Sequence, residues 1–115
     1  MHELLTKTDI TSSDLQTLLD ARQKGEADFL LVDVREQMEY DMGHIKGVDL
    51  LKPTSTFQEW AESLFEEYKG KKPLIFTCRT GSRSAQVRNV FASNGFENAI
   101  NHYGGIVTYS GNIER

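Results

Sequence analysis

Two periods organise the apolar positions of this chain. Phe29-Leu30-Leu31-Val32-Asp33-Val34 and Pro73-Leu74-Ile75-Phe76-Thr77 are nearly continuous apolar runs. Their length and their branched and aromatic content predict strands covered on both faces of a parallel sheet. Between them, Phe57, Trp60, Ala61, Leu64, Phe65 and Tyr68 repeat at helical spacing. That stripe predicts the clearest amphipathic helix of the chain, and its aromatics are read as core packing. Lys69-Gly70-Lys71-Lys72 closes it, with basic charge at the helix C-terminus.

Weaker signals fill the remainder. Leu4, Leu5 and Ile10 suggest a short first strand within residues 3–10, at a sheet edge. Thr11-Ser12-Ser13-Asp14 offers several N-cap candidates, of which Ser13 with Gln16 fits a capping box. Leu15, Leu18 and Leu19 then give a helix ending near Gly25. A short helical segment is expected from Glu36 to Met42, broken at Gly43, and a weak strand from Gly47 to Leu51 before Pro53. Val87, Val90 and Phe91 mark a helix from Ser84 to Asn94, with Gly95 as C-cap. Ala99 to His102 reads as a last strand, Gly104-Gly105 as a turn, and Ile106 to Tyr109 as a short terminal helix. Strands alternating with helices predict an α/β fold with a mainly parallel sheet.

At 115 residues the chain suffices for one domain, taken here as residues 1–115. A net charge of −4 without a long basic stripe argues against nucleic-acid binding. No apolar run approaches transmembrane length. The N-terminus lacks a basic region followed by an apolar core. A cytoplasmic protein without a membrane partner is therefore expected. The composition leaves the oligomeric state open. One cysteine excludes an internal disulfide and any multi-cysteine metal site. His2 and His102 have no ligand partner at suitable spacing, so no metal or other cofactor is invoked.

That single cysteine heads the stretch Cys78-Arg79-Thr80-Gly81-Ser82-Arg83-Ser84. It follows a predicted strand and precedes a predicted helix. A loop of this kind aims several backbone N–H groups at one centre, and the helix N-terminus adds partial positive charge. Arg79 and Arg83 add two full charges. These features favour thiolate over thiol and predict a reactive Cys78. A lone cysteine is ordinarily an inert packing residue, but two arginines, a glycine, a threonine and two serines are poor company for that role. A basic loop on an acidic chain suggests a small anionic substrate. Asp33 and Cys78 both end predicted strands, the place where open α/β sheets build their sites.

Four segments together resemble the rhodanese-like sulfurtransferase family over nearly the whole chain. They are Val32-Asp33-Val34-Arg35-Glu36, Glu39-Tyr40 leading to Gly43-His44-Ile45-Lys46-Gly47, Cys78 to Ser84, and Tyr103-Gly104-Gly105-Ile106. The resemblance implies a mainly parallel five-stranded sheet flanked by helices on both faces, and a cysteine that carries a persulfide between donor and acceptor. The family often has Gly-Ala and then Asn-Ile-Pro where Gly47 to Pro53 stand here. It often has Leu before the glycine pair and Trp after it, at the places of Tyr103 and Tyr109. Cysteine-dependent phosphatases resemble the loop but place five residues between Cys and Arg. Here Arg83 follows after four. In the related family the six-residue loop fits a single extra sulfur, and one residue more fits phosphate or arsenate.

The resemblance therefore implies a thiosulfate sulfurtransferase, working through a Cys78 persulfide without a cofactor. Arg79 and Arg83 would orient an anionic donor. Thr80, Gly81, Ser82 and Ser84 would complete the cradle with backbone N–H and hydroxyl groups. Arg79 is the better placed of the two arginines, since the second loop position faces solvent, and Arg83 has the alternative of an ion pair that braces the loop. Ser84 has the alternative of capping the next helix. Asp33 and Arg35 are expected to support neighbouring loops by hydrogen bonds, and His44 to satisfy backbone groups. The acceptor would be cyanide, a thiol or a protein cysteine, supplied from outside because no second cysteine exists. The alternatives are a protein-to-protein carrier of persulfide or polysulfide sulfur, a cysteine-dependent phosphatase or arsenate reductase, and an inert interaction module.

Overall fold

Residues 1–115 are described by a computed structural model. Five strands form a parallel sheet in the order β1-β6-β5-β2-β4. In chain order these are β1 (Asp9–Ile10), β2 (Leu30–Asp33), β4 (Leu50–Leu51), β5 (Leu74–Thr77) and β6 (Ala99–His102). The two apolar runs lie side by side at the centre, with Val32 opposite Phe76 and Asp33 opposite Thr77. On the other side of β5, Ile75 stands opposite Ile100 and Phe76 opposite Asn101.

Alternation along these strands divides the core into two layers. Leu31, Ile75 and Ile100 face α1 (Ser12–Gln23), where Leu15 and Leu18 are fully buried. Val32, Leu74 and Phe76 face α3 (Phe57–Tyr68) and α4 (Ser82–Ser93), meeting Trp60, Leu64, Val87 and Phe91. The helices thus cover both faces, as the apolar runs require. The stripe on α3 is core, and Phe91 packs edge-on against Phe76 at 5.1 Å between ring centres.

Several local expectations change. Residues 3–10 do not form one strand: Glu3–Thr6 is a 3-10 turn capped by the His2 side chain, and only Asp9–Ile10 pairs with the sheet. The first strand does lie at an edge. The capping box of α1 is built by Thr11 and Asp14, not Ser13 and Gln16. Thr11 is the residue in extended conformation, so its hydroxyl reaches the Asp14 N–H at 3.1 Å. Ile106–Thr108 is a single 3-10 turn. After α2 (Gln37–Met42), β3 (His44–Ile45) pairs antiparallel with β7 (Ile113–Glu114). No helix is long and apolar enough to cross a membrane.

Candidate active site

Cys78 directly follows the central strand β5, and α4 begins four residues later. The helix starts earlier than expected, at Ser82, because Gly81 serves as its N-cap in left-handed conformation with φ +95°. A Cβ on Gly81 would lie 2.9 Å from the Gly104 N and 3.2 Å from the His102 O, so this position demands glycine sterically as well. The early start makes Ser84 an interior residue of the first helical turn. It is not the cap.

The cysteine sulfur is buried, with 1% of the residue exposed. Gly81 N–H donates to Sγ at 3.1 Å, Ser84 N–H at 3.4 Å and the Ser84 hydroxyl at 3.3 Å. Burial pushes the thiol pKa up. The hydrogen bonds from the Ser84 hydroxyl and N–H, and from the Gly81 and Thr80 N–H groups, outweigh it and bring the pKa below its ordinary value. The sulfur sits at the N-terminus of a twelve-residue helix, whose partial positive charge favours the thiolate form in the same direction.

The opposite side of the loop explains the direction of its N–H groups. Ile106 N–H donates to the Cys78 O at 2.9 Å, and Val107 N–H donates to the Arg79 O at 3.1 Å. In a planar trans peptide the carbonyl and the following N–H point in opposite directions. Holding those two carbonyls outward therefore turns the Arg79 and Thr80 N–H groups away from the turn, and the Thr80 N–H reaches the sulfur. Gly105 makes this approach possible. With φ +65°, a Cβ there would lie 2.7 Å from the Cys78 O.

The two arginines separate sharply. Arg83 does not offer a free cation: its Nη1 and Nη2 grip the Glu39 carboxylate at 2.6 and 2.9 Å. This bidentate pair ties α4 to α2, and the Arg83 hydrogen bonds hold the Glu39 carboxyl at about 2, against burial. The substrate-contact expectation for Arg83 therefore gives way to the bracing one. Arg79 is exposed and makes no ion pair within 4 Å. Thr80 and Ser82 lie on the exposed side, their hydroxyls 3.4 Å apart and directed to each other.

Asp33 and Arg35 lie beside the site without touching the sulfur. Arg35 donates through Nε and Nη2 to the Asp33 carboxylate at 2.9–3.1 Å, and Nη2 also reaches the Gly43 O at 2.7 Å. Both are buried, and together they fasten the end of β2 to the entry of β3. His44 stacks on Tyr40 at 3.8 Å and bonds the Tyr40 O through Nδ1.

Two residues of the site were missed in the sequence. Asn101 accepts the Ser84 hydroxyl at 2.7 Å through Oδ1 and donates to Asp9 through Nδ2 at 3.0 Å. One hydroxyl proton is thus shared between Asn101 and Cys78. His102 is fully buried and bonds Thr77, the residue before the cysteine. A polar pair ending an otherwise apolar last strand was the available signal.

Comparison with known proteins identifies the family. The model of the rhodanese-like domain matches residues 13–112, and the chain belongs to that family. Its members include proteins of sulfur transfer. A probable adenylyltransferase/sulfurtransferase MoeZ of Mycobacterium tuberculosis is 33% identical over 88% of this chain and 24% of its own length. A tRNA uridine(34) hydroxylase of Bacillus licheniformis is 36% identical over 71% of this chain and 26% of its own. The chain thus spans about a quarter of the curated relatives it matches. The solution structure of a rhodanese-like domain from Anabaena superposes with a TM-score of 0.74 at 20% identity, covering 94% of this chain and 79% of that one. At that identity the likeness is one of fold.

Proposed function

We propose that this chain moves sulfane sulfur from a small anionic donor of the thiosulfate class to a thiophilic acceptor through a persulfide on Cys78. The supporting observation is the sulfur's setting. Three donors lie within 3.1–3.4 Å of it, at a helix N-terminus, in a loop whose one free guanidinium is Arg79. In the first half-reaction the thiolate attacks the outer sulfur of thiosulfate. A Cys78 S–S bond forms, the donor S–S bond breaks, and sulfite leaves with the electron pair. The persulfide keeps one negative charge on its terminal sulfur, which the inward N–H groups of the loop stabilise. Cyanide or a thiol then attacks that sulfur and Cys78 leaves as thiolate, giving ping-pong kinetics.

A second reading, transfer to a protein thiol, draws support from the apolar surface beside the loop. Tyr103 is 67% and Val107 57% exposed, and the Val107 N–H is bound to the Arg79 O. Thiocyanate formation from thiosulfate and cyanide tests the first reading, with wild type compared to Cys78→Ser. Turnover that falls to background in the variant is expected. Hydrolysis of an aryl phosphate or reduction of arsenate, without thiocyanate, would overturn it in favour of the phosphatase-like chemistry.

A further inference from the structure

Beneath the cysteine loop a chain of side-chain hydrogen bonds runs in one direction only. Thr108 Oγ1 lies 2.9 Å from the Gly105 O, which can only accept, so the single Thr108 hydroxyl proton is committed there. Ser12 Oγ lies 2.7 Å from Thr108 Oγ1 and must therefore donate to it. With its proton spent, Ser12 Oγ accepts from His102 Nε2 at 2.8 Å. A neutral imidazole has one N–H, so His102 Nδ1 accepts from the Thr77 hydroxyl at 2.8 Å. The order is Thr77, His102, Ser12, Thr108, Gly105. Burial holds the His102 imidazole at about 4, which keeps it neutral at pH 7.

The two ends of this chain grip the two sides of Cys78. Thr77 is its predecessor on β5. Gly105 begins the 3-10 turn whose Ile106 and Val107 N–H groups hold the Cys78 and Arg79 carbonyls outward. Ser12 brings in the first turn of α1, so three otherwise separate segments share one hydrogen-bond direction.

We infer that His102, in its Nε2–H tautomer, is a positioning residue for the cysteine loop, aligning the Ile106–Thr108 turn so that the Cys78 and Arg79 carbonyls stay outward and the N–H groups of the loop stay turned inward. It touches neither substrate nor sulfur and acts through Thr108 and the turn. The inference deepens the sulfur-transfer reading, which gives those N–H groups their task. Its test, however, reads the Cys78 thiol directly and does not require turnover.

The experiment measures the rate of Cys78 alkylation by iodoacetamide across pH 5–10 for wild type, His102→Leu and His102→Gln. Folding of each is checked by circular dichroism and melting. In His102→Leu the chain is cut, the thiolate midpoint rises, and alkylation at pH 7 falls about threefold to tenfold. In His102→Gln the amide keeps a donor for Ser12, and the midpoint returns towards wild type. Should the leucine variant fail to fold, Thr108→Val breaks the same chain at an exposed position and carries the same expected rise. Nitrogen-15 spectra of wild-type His102 are expected to show a protonated Nε2 and a bare Nδ1. A bare Nε2, or a folded leucine or Thr108→Val variant with an unchanged midpoint, would overturn the inference. The expected rises in midpoint, found in a protein that forms no thiocyanate, would fail the sulfur-transfer reading alone.

Discussion

Ser84→Ala puts the balance of forces on the cysteine to a quantitative test. The wild-type hydroxyl lies 3.3 Å from the sulfur and 2.7 Å from Asn101 Oδ1, with one proton for both. A hydrogen bond to a charged acceptor contributes about 1.5–3 kcal/mol. Sharing with Asn101 reduces its hold on the thiolate to about 1 kcal/mol, which corresponds to a rise of about 0.7 in the thiol pKa. The Ser84 and Gly81 N–H groups persist in the variant, so reactivity is expected to fall about fivefold below the midpoint and to recover at high pH. Stability falls as well, since Asn101 Oδ1 is buried and loses its donor, at a cost of about 1–2 kcal/mol. Iodoacetamide kinetics against pH read the first quantity and urea denaturation the second. Ser63→Ala on the exposed side of α3 controls for serine loss in general. A thiol midpoint that is unchanged or lower in Ser84→Ala would refute the claim that this hydroxyl stabilises the thiolate.

Further expectations concern the brace, the free cation and the turn. Glu39 is held at about 2 in place of 4.5, so its share of stability is complete above pH 4.5 and is lost as pH falls from there towards 2. With both partners of its ion pair near 30% exposed, that share is about 1–2 kcal/mol after solvent screening; urea titrations of Glu39→Gln are expected to lack this acid-dependent loss, and an identical pH profile would contradict the pair's role. Arg79→Ala is expected to raise the KM for thiosulfate about twofold to fivefold, to leave the cyanide step unaffected and to weaken the salt dependence of the first step. Equal KM values at low and high salt would contradict that assignment. Gly105→Ala places a Cβ 2.7 Å from the Cys78 O at φ +65°, and is expected to cost about 2–4 kcal/mol by chemical denaturation, with loss of Cys78 reactivity.

What could be read directly from the sequence followed from local chemistry. The apolar runs at residues 29–34 and 73–77 announce buried central strands because no other arrangement hides both faces. The loop from Cys78 to Ser84 carries its own glycine, polar groups and helix start, so the cysteine and its cradle were visible together. Features defined by distant partners were not. β3 and β7 are two-residue strands that exist only through each other, across almost seventy positions. Thr11 and Ser13 offer the same capping chemistry two residues apart, and only the extended backbone at Thr11 decides between them. Arg83 is open to two roles in the sequence, substrate cation or brace, and the carboxylate partner on another helix selects the brace. Asn101 and His102 are the sharpest instance. Side by side on one strand they point to opposite faces of the sheet, one to Ser84 and the other to Thr77 and Ser12. Their place at the end of an apolar strand marks them as a pair, and only the distant partners show what each one bonds.

The central claim is that Cys78 carries sulfur, and intact-mass spectrometry of protein treated with thiosulfate tests it most directly. Wild-type protein is expected to gain one sulfur atom, to lose it when cyanide is added, and to show no gain in Cys78→Ser. An unmodified wild-type mass after thiosulfate treatment, with the cysteine still open to alkylation, would contradict the persulfide route from this class of donor.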